Sequence, residues 1–135
     1  MCWRGRVSAG PSTAGAVYCW GVGANGQMGN GTTTAVDSSP VAVPMSGVLS
    51  GVTVTQVSAG YFDVCALGST GVAYCWGGNI TGGVGNASAT SPQTTPIAVT
   101  TSGALLGVTL TQVSANNNQI NNADTTCALS AAGAA

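Results

Sequence analysis

The chain has 135 residues, enough for one small domain with a core of its own. Charge is confined to Arg4, Arg6, Asp37, Asp63 and Asp124, with no histidine and a net charge of −1. Nucleic acid and anionic membrane are held by clustered basic side chains, so this composition excludes both as partners. No run approaches the roughly 18 apolar residues of a membrane-spanning helix, and MCWRGRVSAG at the start lacks the apolar stretch of a secretory signal. A trimmed or excerpted secreted protein reads the same way.

In chain order, a strand in AVYCWGVGA (16–24) is followed by the glycine loop GQMGNG (26–31) and a proline-led strand PVAV (40–43). Next come GVTVTQVSA (51–59), VCAL (64–67), the turn-forming LGSTG, and a second Tyr-Cys-Trp-Gly strand in VAYCW (72–76). The loop GGVGN (82–86), PIAVT (96–100) and GVTLTQVSA (107–115) then repeat the earlier series. These segments are β-branched, aromatic or small, glycine, asparagine, serine and proline lie between them, and none shows helical periodicity. In VTVTQV and VTLTQV apolar residues alternate with threonine or glutamine, so Val52, Val54, Val108 and Leu110 should share one face.

The chain aligned with itself shows an offset of 56 that carries Tyr18 to Tyr74, Cys19 to Cys75, Trp20 to Trp76 and Pro40 to Pro96. About half of the positions in 17–60 are identical to their mates in 73–116. The expectation is an all-β fold built from repeats of four-stranded antiparallel sheets, about two and a half of them. A single repeat domain spans 1–135, with units near 17–72 and 73–128 and a partial unit at 1–16.

VSAG (57–60), VCAL, GVAYCWG (71–77), GGVGN and PIAV, with VYCWG (17–21), GQMGNG and PVAV before them, resemble the repeat of the regulator of chromosome condensation family. The resemblance implies propeller-like blades, each repeat supplying four strands of a closed ring. Low charge and paired cysteines point to a bacterial or extracellular-type variant. The sequence departs from the family pattern before the cysteine, where Asp63 and Thr125 replace the usual histidine, and NNNQINNAD (116–124) is an insertion expected to leave the blade. Nuclear members bind chromatin and promote nucleotide exchange with charged and loop residues absent here, so that function does not carry over.

In VCALGSTGVAYC, a hairpin about LGSTG sets Cys65 opposite Cys75, roughly 4.5–5.5 Å apart at Cα and within disulfide range. Cys2 and Cys19 are expected to pair across an enlarged version of the same hairpin. The mate of Cys127 falls near position 137, which points to an excerpt of a longer chain or to an intermolecular bond, Cys127 to Cys2 of a second copy.

Asn30, Asn79 and Asn86 open Asn-x-Ser/Thr sequons and are candidate glycosylation sites. Without histidine, a CxxC pair or clustered acids, no metal or cofactor site is expected. Without lysine, glutamate or histidine, general bases and activated nucleophiles are lacking, and GVGANG (21–26) lies between strands rather than opening a helix. The expected function is therefore non-enzymatic: an extracellular or cell-surface structural protein that self-associates head to tail through open blade edges, as a ring or filament. The alternatives are a propeller module that binds protein or glycan, using an aromatic such as Tyr61 or Phe62, and a fragment of a longer closed propeller.

Overall fold

The computed structural model describes residues 15–116 and 125–132. The described chain is all-β, with eight strands in three antiparallel sheets that follow one another along the sequence. The first sheet pairs β1 (Tyr18–Val22) with β2 (Val36–Ala42). The second has the order β3 (Val54–Ala59), β4 (Asp63–Gly68), β5 (Ala73–Gly77), β6 (Gln93–Ala98), and the third pairs β7 (Leu110–Ala115) with β8 (Thr126–Ser130). One complete four-stranded blade is thus flanked by two described half-blades. Two 3-10 turns, Gly47–Leu49 and Gly103–Leu105, carry no signal in the sequence reading. Among the described residues no helix is long and apolar enough to cross a membrane.

Successive side chains of a strand point to opposite faces, and the middle sheet is packed on both. Val64, Ala66, Tyr74 and Trp76 join Val17, Cys19, Met28, Val43 and Leu49 of the first unit in one core cluster. Cys65, Leu67, Ala73 and Cys75 turn the other way, to Val84, Leu110 and Val113. Every residue of β4 and β5 is consequently buried, and these strands read as continuous runs rather than as alternations.

The β4–β5 hairpin has the register expected from LGSTG: Cys65 opposes Cys75 and Val64 opposes Trp76. The Gly71 N–H donates to the Gly68 carbonyl at 2.9 Å to close the turn. The proline strands begin earlier than expected, β6 at Gln93 and β2 at Val36, with Pro96 and Pro40 inside them. Both are terminal strands of their described sheets, where a missing N–H breaks no second ladder.

A bulge interrupts β3 between Val54 and Gln56, and β7 between Leu110 and Gln112. The extra residue shifts the side-chain phase. Val57 thus joins Val54 in the first cluster, and Gln56 swings toward the third sheet.

Candidate functional site

The junction between the first unit and the middle sheet is organised around Trp76. Its indole is fully buried, and Nε1–H donates to the Gln27 carbonyl at 2.9 Å. The loop 26–29 makes room: Gly29 has φ +67°, and a Cβ there would sit 2.7 Å from the Trp76 Nε1. Val17, Val43, Leu49 and Val54 complete the socket.

The repeat offset of 56 carries each wall of that socket to a second place. Val17, Gly29, Val43, Leu49 and Val54 become Ala73, Gly85, Val99, Leu105 and Leu110, and all five line one cavity of about 410 Å³ beside Cys127 and Ala128 of β8. Among the described residues, no tryptophan lines this second socket. The strand one repeat on from β5, which would bring one, is absent from the described residues.

Polar links between sheets show the same incomplete repetition. The Gln56 side chain reads the backbone of Val113 in both directions: Nε2 donates to its carbonyl at 2.9 Å, and Oε1 accepts from its N–H at 3.0 Å. The Ser58 hydroxyl accepts from the Ala115 N–H at 2.9 Å. Their repeat mates Gln112 and Ser114 are exposed on the far sheet. The third sheet therefore presents a socket and a pair of backbone-reading side chains whose counterparts are engaged one blade earlier.

Residues 14–67 match the family model of the regulator of chromosome condensation (RCC1) repeat. Residues 14–67 are an RCC1 repeat. The chain is similar to the human probable E3 ubiquitin-protein ligase HERC6, 31% identical over 101 residues that make up 75% of this chain and 9% of that protein. Among solved structures it resembles human WBSCR16, with a TM-score of 0.69 at 25% identity over 87% of this chain and 27% of that one. It also resembles Prp20p of Saccharomyces cerevisiae, with a TM-score of 0.67 at 23% identity over 86% of this chain and 26% of that one. The chain thus spans about a quarter or less of each of these proteins.

Within the RCC1 blade, Asp63 occupies the place where the resemblance leads one to expect histidine. It is fully buried between the second and third sheets; Oδ2 accepts from the Thr126 hydroxyl at 3.0 Å, while Oδ1 has no hydrogen-bond partner among the described residues. Desolvation raises its pKa above the ordinary 3.8, against the smaller opposing effects of the Thr126 bond and its own backbone. As pH rises through the interval between 3.8 and the raised value, the unfolded chain loses the proton first. Stability from this group therefore falls with rising pH. Asp63→Asn keeps an acceptor for Thr126 and carries no charge. Urea unfolding at pH 4 and pH 7 should show the variant gaining on wild type at the higher pH, and an unchanged difference would refute the assignment.

The sequence-derived cysteine sites fall as follows. Cys65 and Cys75 are joined, with Cα atoms 4.1 Å apart. Cys19 is buried, Cys2 lies outside the described residues, and Cys127 is a free, exposed thiol on β8. The partial unit 1–16 and the insertion 116–124 also lie largely outside them.

The three asparagines differ. Asn79 is buried, and its Nδ2 donates to the Ser88 and Thr90 carbonyls at 2.8 and 3.1 Å, which occupies the nitrogen a glycan would need. Asn30 and Asn86 are half-buried and use Oδ1, accepting from the Thr32 and Ser88 N–H groups at 3.1 Å. Tyr61 and Phe62 are half-buried rather than exposed, and stack edge to face at 4.4 Å. Composition alone could not single out Gln56, Gln112 and the second socket; the repeat offset could have.

Proposed function

We propose that the chain is a non-enzymatic structural repeat module whose open blade faces bind protein, first of all other copies of itself, head to tail, in a ring or filament. The observation that carries this reading is the second socket, whose walls repeat those of a filled one. Uncovered sheet edges and apolar sockets seek a partner, and a heterologous contact of this kind closes a ring or continues as a fibre. Protein binding also accords with a relative, since the Prp20p structure is described with binding properties toward Gsp1p and histones.

The non-enzymatic reading rests on chemistry: the chain has no histidine, lysine or glutamate, and the carboxyl of Asp63 is enclosed between sheets. An extracellular or cell-surface location is supported by the hairpin disulfide and by sequons at the half-buried Asn30 and Asn86, each of which accepts a local N–H at Oδ1. Cys127, an exposed thiol on β8, is our candidate for an intermolecular bond, with Cys2 of a neighbour as the partner the sequence suggests. The test is sedimentation velocity across a range of concentrations, with non-reducing electrophoresis and electron microscopy. Regular oligomers are the expected result; a chain that stays monomeric throughout with Cys127 as a thiol rejects self-association and favours a ligand-binding propeller segment.

A further inference from the structure

We infer that Asn30 is the N-glycan acceptor of this chain, and that the fold, beyond the motif, selects it over Asn79 and Asn86. This rests on the extracellular reading, because the sugar donor, a lipid-linked pyrophosphate oligosaccharide, is met on the export route. In the transfer a bond forms between the asparagine Nδ2 and the anomeric carbon of the sugar. The bond from that carbon to the pyrophosphate oxygen breaks, the pyrophosphate leaves with the electron pair, and Nδ2 gives up a proton to a base of the transferase. Donors on the amide oxygen draw charge from the nitrogen and ease that loss. The acceptor therefore needs a carbonyl held by hydrogen bonds, a nitrogen that the fold does not use, and room for a bulky group at the surface.

Asn30 meets these conditions through the third residue of its own sequon. The Thr32 N–H donates to Oδ1 at 3.1 Å and the Thr32 hydroxyl donates to the same oxygen at 2.7 Å. A backbone N–H can only donate, so the atom it meets is the amide oxygen, and Nδ2 is the end turned away from Thr32. The Thr34 hydroxyl lies 3.1 Å from that of Thr32 and donates into it, since the Thr32 proton is given to Asn30. Residues 31–36 are all exposed. The Gly31 N–H donates to the Thr94 carbonyl at 2.9 Å, which ties the sequon to β6, the terminal strand of the complete four-stranded blade. The sequon is thus held in place on one side and open to water on the other.

The other two sequons each lack one of these features. Asn79 is 2% exposed, and its Nδ2 is spent on the Ser88 and Thr90 carbonyls, so a sugar there displaces two bonds and has no room. Asn86 is the repeat mate of Asn30 and likewise accepts the N–H of its third residue, Ser88, at 3.1 Å. The Ser88 hydroxyl, however, is turned to Thr90: it donates to Oγ1 and accepts from the N–H, both at 3.1 Å. Its proton is therefore withheld from the Asn86 amide. One motif in equivalent places has two hydroxyl arrangements, and only that of Thr32 acts on the asparagine.

The folded chain can be tested directly. The full protein, made without glycans in bacteria and purified, is incubated with an oligosaccharyltransferase and lipid-linked oligosaccharide, and the modified sites are mapped by mass spectrometry. Asn30 should react about tenfold faster than Asn86, the factor for one hydrogen bond to the acceptor amide, and Asn79 should not react. Synthetic peptides spanning each sequon supply the comparison without the fold: Asn79, which like Asn30 has threonine in third place, should there react as fast as Asn30. Asn30→Gln should abolish the early modification of the folded chain, and Thr32→Ser, which keeps the hydroxyl, should retain it.

A folded chain that leaves Asn30 bare, or that takes sugar at Asn86 or Asn79 as fast, overturns the site. Location is read separately, by fractionating the cells that make the protein. Export with a glycan on Asn30 supports both. An exported chain bare at Asn30 overturns the site alone, and a chain kept inside the cell whose Asn30 accepts sugar in the purified system overturns the extracellular reading alone.

Discussion

Trp76→Ala should cost the chain about 3–5 kcal/mol, the usual range for removing a buried large aromatic. Two losses add: the ring leaves a cavity between two sheets, and the Gln27 carbonyl loses its indole donor while remaining buried. The loop cannot collapse into the gap, because the positive φ of Gly26 and Gly29 fixes its path around the ring. A domain this small has about 5–15 kcal/mol in total, so urea unfolding should show a midpoint lowered by about half or no folded baseline at all. Trp20→Ala, measured as the dilute monomer, should cost far less, since that ring is only half-buried. Equal losses at the two positions would contradict the assignment of Trp76 as the internal joint.

The second large effect concerns the hairpin. Replacing Cys65 and Cys75 together by alanine should destabilise by about 2–3 kcal/mol, the entropy released when a short loop of this length is no longer closed. The pair lies in the second core cluster, against Val113 and Leu110, so the loosened hairpin also loosens the joint with the third sheet. Thermal unfolding with and without reductant checks it. The wild-type midpoint should fall on reduction to near that of the double variant, and the double variant should not respond. A wild type indifferent to reductant would show that the thiols are not joined.

How far the sequence discloses this arrangement depends on where each residue's partner is. The Cys65–Cys75 register follows from a turn between nearby residues, and it is present in the structure. The all-β class and the blade follow from strand lengths and a repeat that compares the chain only with itself. What stayed hidden lies across sheets. Gln56 reads as the polar face of an alternating strand, yet the bulge before it turns the amide toward Val113, 57 residues away. Asp63 reads only as a replacement for the histidine of the family pattern, and nothing near it in sequence shows that the third sheet covers it. Asn79 reads as a sequon, but its amide is the tie that closes the loop onto Ser88 and Thr90. Local spacing carries hairpins; it is silent about which face a neighbouring blade will cover.

The amide of Gln56 has a consequence for how such a stack keeps its shape. Apolar surfaces in contact can glide by fractions of an ångström as their side chains change size. A carboxamide bonded to both the N–H and the carbonyl of one residue cannot, because a slip of one position presents it with the other edge of the strand. It acts as a detent between consecutive sheets: the cores on either side are free to vary in volume, while the angular step from blade to blade stays indexed to a single backbone residue.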